Sequence, residues 1–263
     1  MAVSTKKEDI QGIQKDLEKL VQWANDWQMA FNYDKCKVMH LGSKSSGNSS
    51  YKMDGYTLQE IDEERDLGVL VTKDLKSGRQ CETAGKKALK MLGIINRNVE
   101  YKSKDVMKKL YLAYVRPHLE HCVQAWNPYF QKDIDFLERV QRRATKMVNG
   151  LGALEYKDRL IALDLYSLKY RRLRGDLIET FKIIKGIDKC SVKNDFIFEG
   201  RHRGHQFNLY KSRSRTLKRQ MMFTQRIVNH WNRLPSEVVL APSLNIFKSR
   251  LDTFYSSSGL LFE

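Results

Sequence analysis

Cations at helical spacing carry the clearest chemical pattern in this sequence. Within residues 132–149, Arg139, Arg142, Arg143 and Lys146 recur at three- and four-residue steps, the spacing that stacks side chains on one helical face. Ile134, Leu137, Val140, Ala144 and Met147 fall opposite them and predict an amphipathic helix. Guanidinium and ammonium groups in such a row suit a phosphate backbone; a merely solvated basic face is the alternative. A second basic stretch follows: between Glu199 and Glu237 there is no Asp or Glu, but there are nine Lys and Arg. Its first half, with Arg201, Arg203, Lys211, Arg213 and Arg215, reads as an extended loop. Phe207 and Tyr210 lie among these cations. Aromatics can stack on unpaired bases while cations meet phosphates, or they can anchor the loop to the domain. Lys169, Arg171, Arg172 and Arg174 form a weaker cluster, because some must face the core side of their helix.

Metal-dependent catalysis lacks comparable support. Two-metal chemistry needs carboxylates held close together on rigid elements. Asp62, Glu63 and Glu64 are the nearest group, and in their polar run they read as a solvated acidic face with no strand to fix them. His202 and His205 have no neighbouring cysteine or carboxylate to complete a ligand set, so a surface role is expected. His118 and His121 lie beside Pro117 in a segment with Leu119 and Trp126 and read as packed or capping groups. No metal site is expected. Cys36, Cys81, Cys122 and Cys190 are far apart and form no Cys-x-x-Cys pair, which supports neither zinc spacing nor a disulfide framework and predicts reduced, mostly buried thiols in an intracellular protein.

The elements that must position these groups are mostly helices. The chain has 263 residues, 41% hydrophobic and 30% charged, a globular balance. Its net charge of +16 predicts a polyanionic partner, nucleic acid before a membrane surface. No apolar run approaches the ~18 residues of a membrane span, and the N-terminus lacks a signal-peptide core. Helical periods are expected over 8–29, 80–98, a stretch opened by Ser103 and kinked at Pro117, 132–149, 165–184, 219–233 and 243–255. Gly150, Gly152 and Gly186 are expected stops. Short strands are expected at 37–41, 53–58 and 66–71. The fold class is therefore mainly α with a small α+β N-terminal element, divided into 1–75, a helical 76–187, and 188–263 with the basic loop and C-terminal helices.

Two segments early in the chain carry a family resemblance. Trp27-Gln-Met-Ala-Phe-Asn-Tyr-Asp-Lys-Cys-Lys-Val-Met-His-Leu-Gly42 resembles the end of the palm in reverse transcriptases of jockey-type non-LTR retrotransposons. Asp66-Leu-Gly-Val-Leu-Val71 resembles the hairpin that grips the primer end there. Leu110-Tyr-Leu-Ala-Tyr-Val-Arg-Pro-His-Leu-Glu120, Trp126-Asn-Pro128 and Leu137-Glu-Arg-Val-Gln-Arg-Arg-Ala-Thr145 resemble the thumb of jockey-type and chicken-repeat-type elements. Arg171-Arg-Leu-Arg-Gly-Asp-Leu177 and Val228-Asn-His-Trp-Asn-Arg-Leu-Pro235 fit the C-terminal region that follows.

In such enzymes the paired catalytic aspartates lie shortly before the palm motif, and these residues contain no comparable Asp-Asp turn. The resemblance therefore implies a palm remnant, thumb and C-terminal region of an RNA-directed DNA polymerase that needs magnesium only in its full-length form, with no cofactor in this chain. Lys35 is the implied vestige of a phosphate-contacting lysine, and Leu67, Gly68 and Val69 are the primer-grip-like residues. Gly68 would also let a backbone approach nucleic acid closely or mark a tight bend. RNA, DNA or an RNA–DNA hybrid is the implied partner. Self-association is expected through palm surface left uncovered, at residues such as Ile10, Ile13, Val69 and Val71. An inert remnant, or a piece active only when complemented by a fingers–palm fragment, are the alternatives.

Overall fold

The computed structural model describes residues 7–41, 50–199, 205–256 and 260–262. The chain divides into two compact units, Met1–Lys76 and Ser77–Glu263. Together the elements are mainly helical with a small α+β part, the expected class.

The first unit sets one helix against short strands. Helix α1, Lys7–Asp26, ends earlier than the expected 29, where Gln28 turns to a positive φ of 54°. Ala24 is buried, while Trp27, expected on the inner stripe, is 67% exposed. The Gln14 side chain binds α1 to the backbone of Lys52, donating to its carbonyl at 2.9 Å and accepting from its N–H at 3.0 Å. Strand β1, Lys37–Val38, pairs in parallel with β4, Gln59–Glu60. Strands β2, Lys52–Met53, and β3, Tyr56–Thr57, form an antiparallel hairpin, not the single strand expected over 53–58. Asp54 (φ 50°) and Gly55 (φ 78°) make the break, the pair of left-handed residues that a type I′ hairpin turn requires. The same device recurs at Leu67 (φ 45°) and Gly68 (φ 87°), which join β5, Glu63–Asp66, to β6, Val69–Thr72.

The second unit is helical. It comprises α2, Gly78–Asn98; α3, Lys104–Leu110; α4, Arg116–Glu120; α5, Val123–Trp126; α6, Gln131–Lys146; α7, Tyr156–Ala162; and α8, Leu168–Ile184. Ser103 caps α3 as expected, accepting from the N–H of Val106. Pro117 has no N–H to continue the α ladder. The preceding turn, Tyr111–Val115, widens to a π-helix in which Arg116 N–H reaches back to the Tyr111 carbonyl. Helix α6 crosses α2 at Gly85, where a Cβ would lie 2.3 Å from the Phe136 ring. Only the absence of a side chain allows that approach.

The remaining helices are α9, Leu217–Gln220; α10, Phe223–Arg226; α11, Val228–Asn232; α12, Ser236–Val239; and α13, Leu244–Ser256. The helix expected over 219–233 is thus three short turns, interrupted where Met222 is extended. Arg226 compensates at the break by donating to the Met221 carbonyl at 3.0 Å. One core cluster runs from Tyr170, Leu177 and Phe181 into Trp231, Phe247 and Leu251. Phe181 stacks on Phe247 with ring centroids 4.2 Å apart. The segment beyond residue 187 therefore shares a core with α8, and the division placed there from sequence has no counterpart.

Candidate nucleic-acid interface

The basic face of α6 is set by what holds its other side. Leu137, Val140 and Ala144 are buried as expected, but Glu138, Gln141 and Thr145 are buried beside them. Buried polar groups require partners, and these come from three directions. Tyr111 in the π-helix donates to Gln141, and Gln141 donates to the Tyr166 carbonyl at 2.8 Å. Glu138 accepts from the Tyr156 hydroxyl and from the Leu168 N–H. Arg159 donates to Thr145 at 3.1 Å and to the Leu154 carbonyl. These directional bonds fix the rotation of α6 about its axis more narrowly than apolar packing would. Burial raises the Tyr156 hydroxyl well above its ordinary range, and Glu138 adds to the rise, so this phenol stays a donor.

With that rotation fixed, Arg139, Arg142, Arg143 and Lys146 are all exposed. Arg142 lies over the Tyr156 ring at 4.6 Å and Arg139 over Phe136 at 5.7 Å, contacts that hold a guanidinium in place without neutralising it. Among the described residues none of the four forms an ion pair with a carboxylate. Their span is about 10 Å along the axis, equal to about three phosphate repeats of one strand.

The arginines of α8 serve the fold instead. Arg171 makes a two-point pair with Glu120. Arg174 does the same with Asp252, at 2.6 and 2.8 Å, and Tyr170 donates to that carboxylate. Arg172 is 3% exposed. Arg171 and Arg174 join α8 to its neighbours and leave little for a ligand.

The basic loop is anchored from behind by α11. Trp231 is fully buried and donates to the Phe207 carbonyl at 2.9 Å. Asn232 clamps Leu209 by accepting from its N–H and donating to its carbonyl. A bridge between Phe198 and Leu209 closes the base of the loop. His205, expected at the surface, is instead 5% exposed, with its ring edge-on to Trp231 and Nε2 3.1 Å from the Trp231 carbonyl. The apolar wall that the loop must cover accounts for that burial. Phe207 is half-buried beneath Lys185, an anchor, whereas Tyr210 is 50% exposed. Lys211, Arg213 and Arg215 are exposed. Arg201 and Arg203 lie outside the described residues, as does His202.

Sequence reasoning overlooked two residues here, Arg226 and His230. Both line the groove shared with Lys211 and Arg213. Arg226 makes a two-point pair with Asp176, at 2.8 and 2.9 Å. Burial raises the Asp176 carboxyl, against the opposing pull of Arg226. Nothing local signals a pair separated by fifty positions; only the spacing of Asp176 inside a cationic helix hinted at an internal partner.

In the first unit, Lys35 is exposed at the end of a 3-10 turn, Tyr33–Lys35. Leu67 is 87% exposed at the hairpin tip, while Val69 is 8% exposed and faces inward. Glu63 and Glu64 open strand β5, where no strand was expected, and the acidic group stays largely at the surface as expected: Glu64 pairs with Lys37 at 3.1 Å and Asp62 with Lys73 at 2.6 Å. Among the described residues no three His, Cys, Asp or Glu come together as a metal-holding group. Of the residues expected to drive association, Val69 is buried and Ile10, Ile13 and Val71 are half-buried. Exposed apolar surface lies instead at Leu20, Trp23, Trp27 and Met29. The thiols also depart from expectation: Cys81 is buried, with burial pushing its pKa up to about 12, but Cys122 and Cys190 are exposed. No described helix is long and apolar enough to cross a membrane.

Comparison with protein-family models, with curated proteins and with solved structures finds no match to this chain.

Proposed function

We propose that the chain is the palm-remnant, thumb and C-terminal part of a jockey-type or chicken-repeat-type reverse transcriptase, and that it binds template–primer nucleic acid. The ordered series of motifs from Trp27 to Pro235 supports the family. The observation that carries the binding reading is the α6 face, where four exposed cations stand opposite a hydrogen-bonded inner side. Phosphate contact there is independent of sequence and suits a duplex. The exposed Tyr210 and the loop cations add a surface for unpaired bases.

Charge reversal tests the reading. An Arg139→Glu, Arg143→Glu, Lys146→Glu variant is expected to retain its fold, since all three side chains are exposed. Its log–log salt slope for an RNA–DNA hybrid should become shallower by about one for each phosphate that is no longer neutralised. A variant with wild-type affinity and slope would remove α6 from the interface.

A second reading, self-association through the first unit, is favoured by the exposed Leu20, Trp23, Trp27 and Met29. Sedimentation across a concentration series decides it, because a monomer at every concentration excludes that role.

A further inference from the structure

An open groove of about 520 Å³ runs beside the basic loop, with Lys211, Arg213, Gln220 and His230 among its lining. A smaller pocket of about 150 Å³ adjoins it, since Arg226 and His230 line both. Helix α8 contributes Lys169, Arg172 and Asp176 to the smaller pocket. Asp176 is the one acidic residue among the described lining of either cavity, and Arg226 engages both of its oxygens. Arg172 is only 3% exposed, and its Nη1 finds no hydrogen-bond partner among the described residues. That atom is closed to solvent, so Arg172 can act on a ligand only through its charge, which Glu138, Glu120 and Asp176 partly offset.

We infer that the groove forms a seat for a phosphate group, with Lys211, Arg213 and His230 as direct contacts and Arg172, in the neighbouring pocket, as a fixed positive charge behind it. Burial, with Arg233 and Lys211 nearby, lowers the His230 pKa. A neutral imidazole still donates one N–H to a phosphate oxygen. The cations need no base identity to act, and the inference rests on the nucleic-acid reading only for the natural source of the phosphate.

The test is a titration of the full chain with inorganic pyrophosphate, following the imidazole resonances. A saturable shift at His230 with exposed His121 unmoved is expected. A Lys211→Ala, Arg213→Ala variant should bind about tenfold more weakly or worse, as removal of charge-assisted hydrogen bonds implies. Short single strands then identify the source. Competition by a 5′-phosphorylated strand but not its 5′-hydroxyl form means a terminal phosphate, competition by both means the backbone, and competition by neither means a free phosphate compound. The absence of a saturable His230 shift overturns the inference, as does an unchanged affinity in the loop variant. The α6 charge-reversal variant separates the two proposals, because its His230 response should persist even where hybrid binding is abolished.

Discussion

His205 couples the basic loop to the stability of the second unit. Burial holds its pKa below the ordinary 6.5 and so disfavours the protonated ring in the folded chain. Nδ1 is buried without a hydrogen-bond partner among the described residues, so a proton there has nothing to receive it. The unfolded chain takes up that proton first as pH falls. The contribution is therefore complete above pH 6.5 and declines below it. His230 acts with the same sign, so His205→Gln should flatten part of the fall in melting temperature between about pH 7 and pH 5. An unchanged profile would show that His205 is not the linked group. At the hairpin tip, Leu67 has a positive φ of 45°, which costs an L-residue about 1–2 kcal/mol. Leu67→Asn is expected to raise the urea midpoint by up to about 1 kcal/mol of stability; a lower midpoint would mean that the exposed side chain contributes packing. Neither feature is legible in the sequence. Leucine is no left-handed residue by type, and the Trp231 carbonyl lies 26 positions from His205.

The position of α6 depends on Gly85 of α2. A methyl group there would meet the Phe136 ring at 2.3 Å, and overpacking of this kind costs about 1–3 kcal/mol. Gly85→Ala is expected to destabilise the fold by that amount in chemical denaturation, with Phe136→Leu in the same chain restoring most of it. Failure of the second substitution to rescue would place the strain elsewhere. The faces of α6 can be read from its 3.6-residue period, because apolar and cationic residues separate cleanly. The buried Glu138, Gln141 and Thr145 cannot, since each bonds to a residue outside α6. The break at Met222 is hidden too, because the spacing of 219–233 is helical and the partner of Arg226, Asp176, lies fifty positions away.

For the whole molecule, a charge of +16 makes long-range attraction to polyanions the dominant electrostatic property. Composition and periodicity convey the mainly helical class and its small N-terminal α+β element. They do not convey that α8 and the C-terminal helices share one core, because that cluster is assembled from residues spread between Tyr170 and Leu261. Nor do they show which cations are consumed internally. Arg171, Arg174 and Arg226 are paired with carboxylates, whereas Arg139, Arg142, Arg143 and Lys146 remain exposed on α6. The central claim is that these exposed cations grip phosphates. Its most direct test is the affinity of the full chain for a labelled RNA–DNA hybrid at two salt concentrations. The account predicts tight binding that weakens between about 50 and 200 mM salt with a log–log slope near −3 or steeper, as three or more neutralised phosphates require. No binding at the lower salt, or binding that salt leaves unchanged, would contradict it.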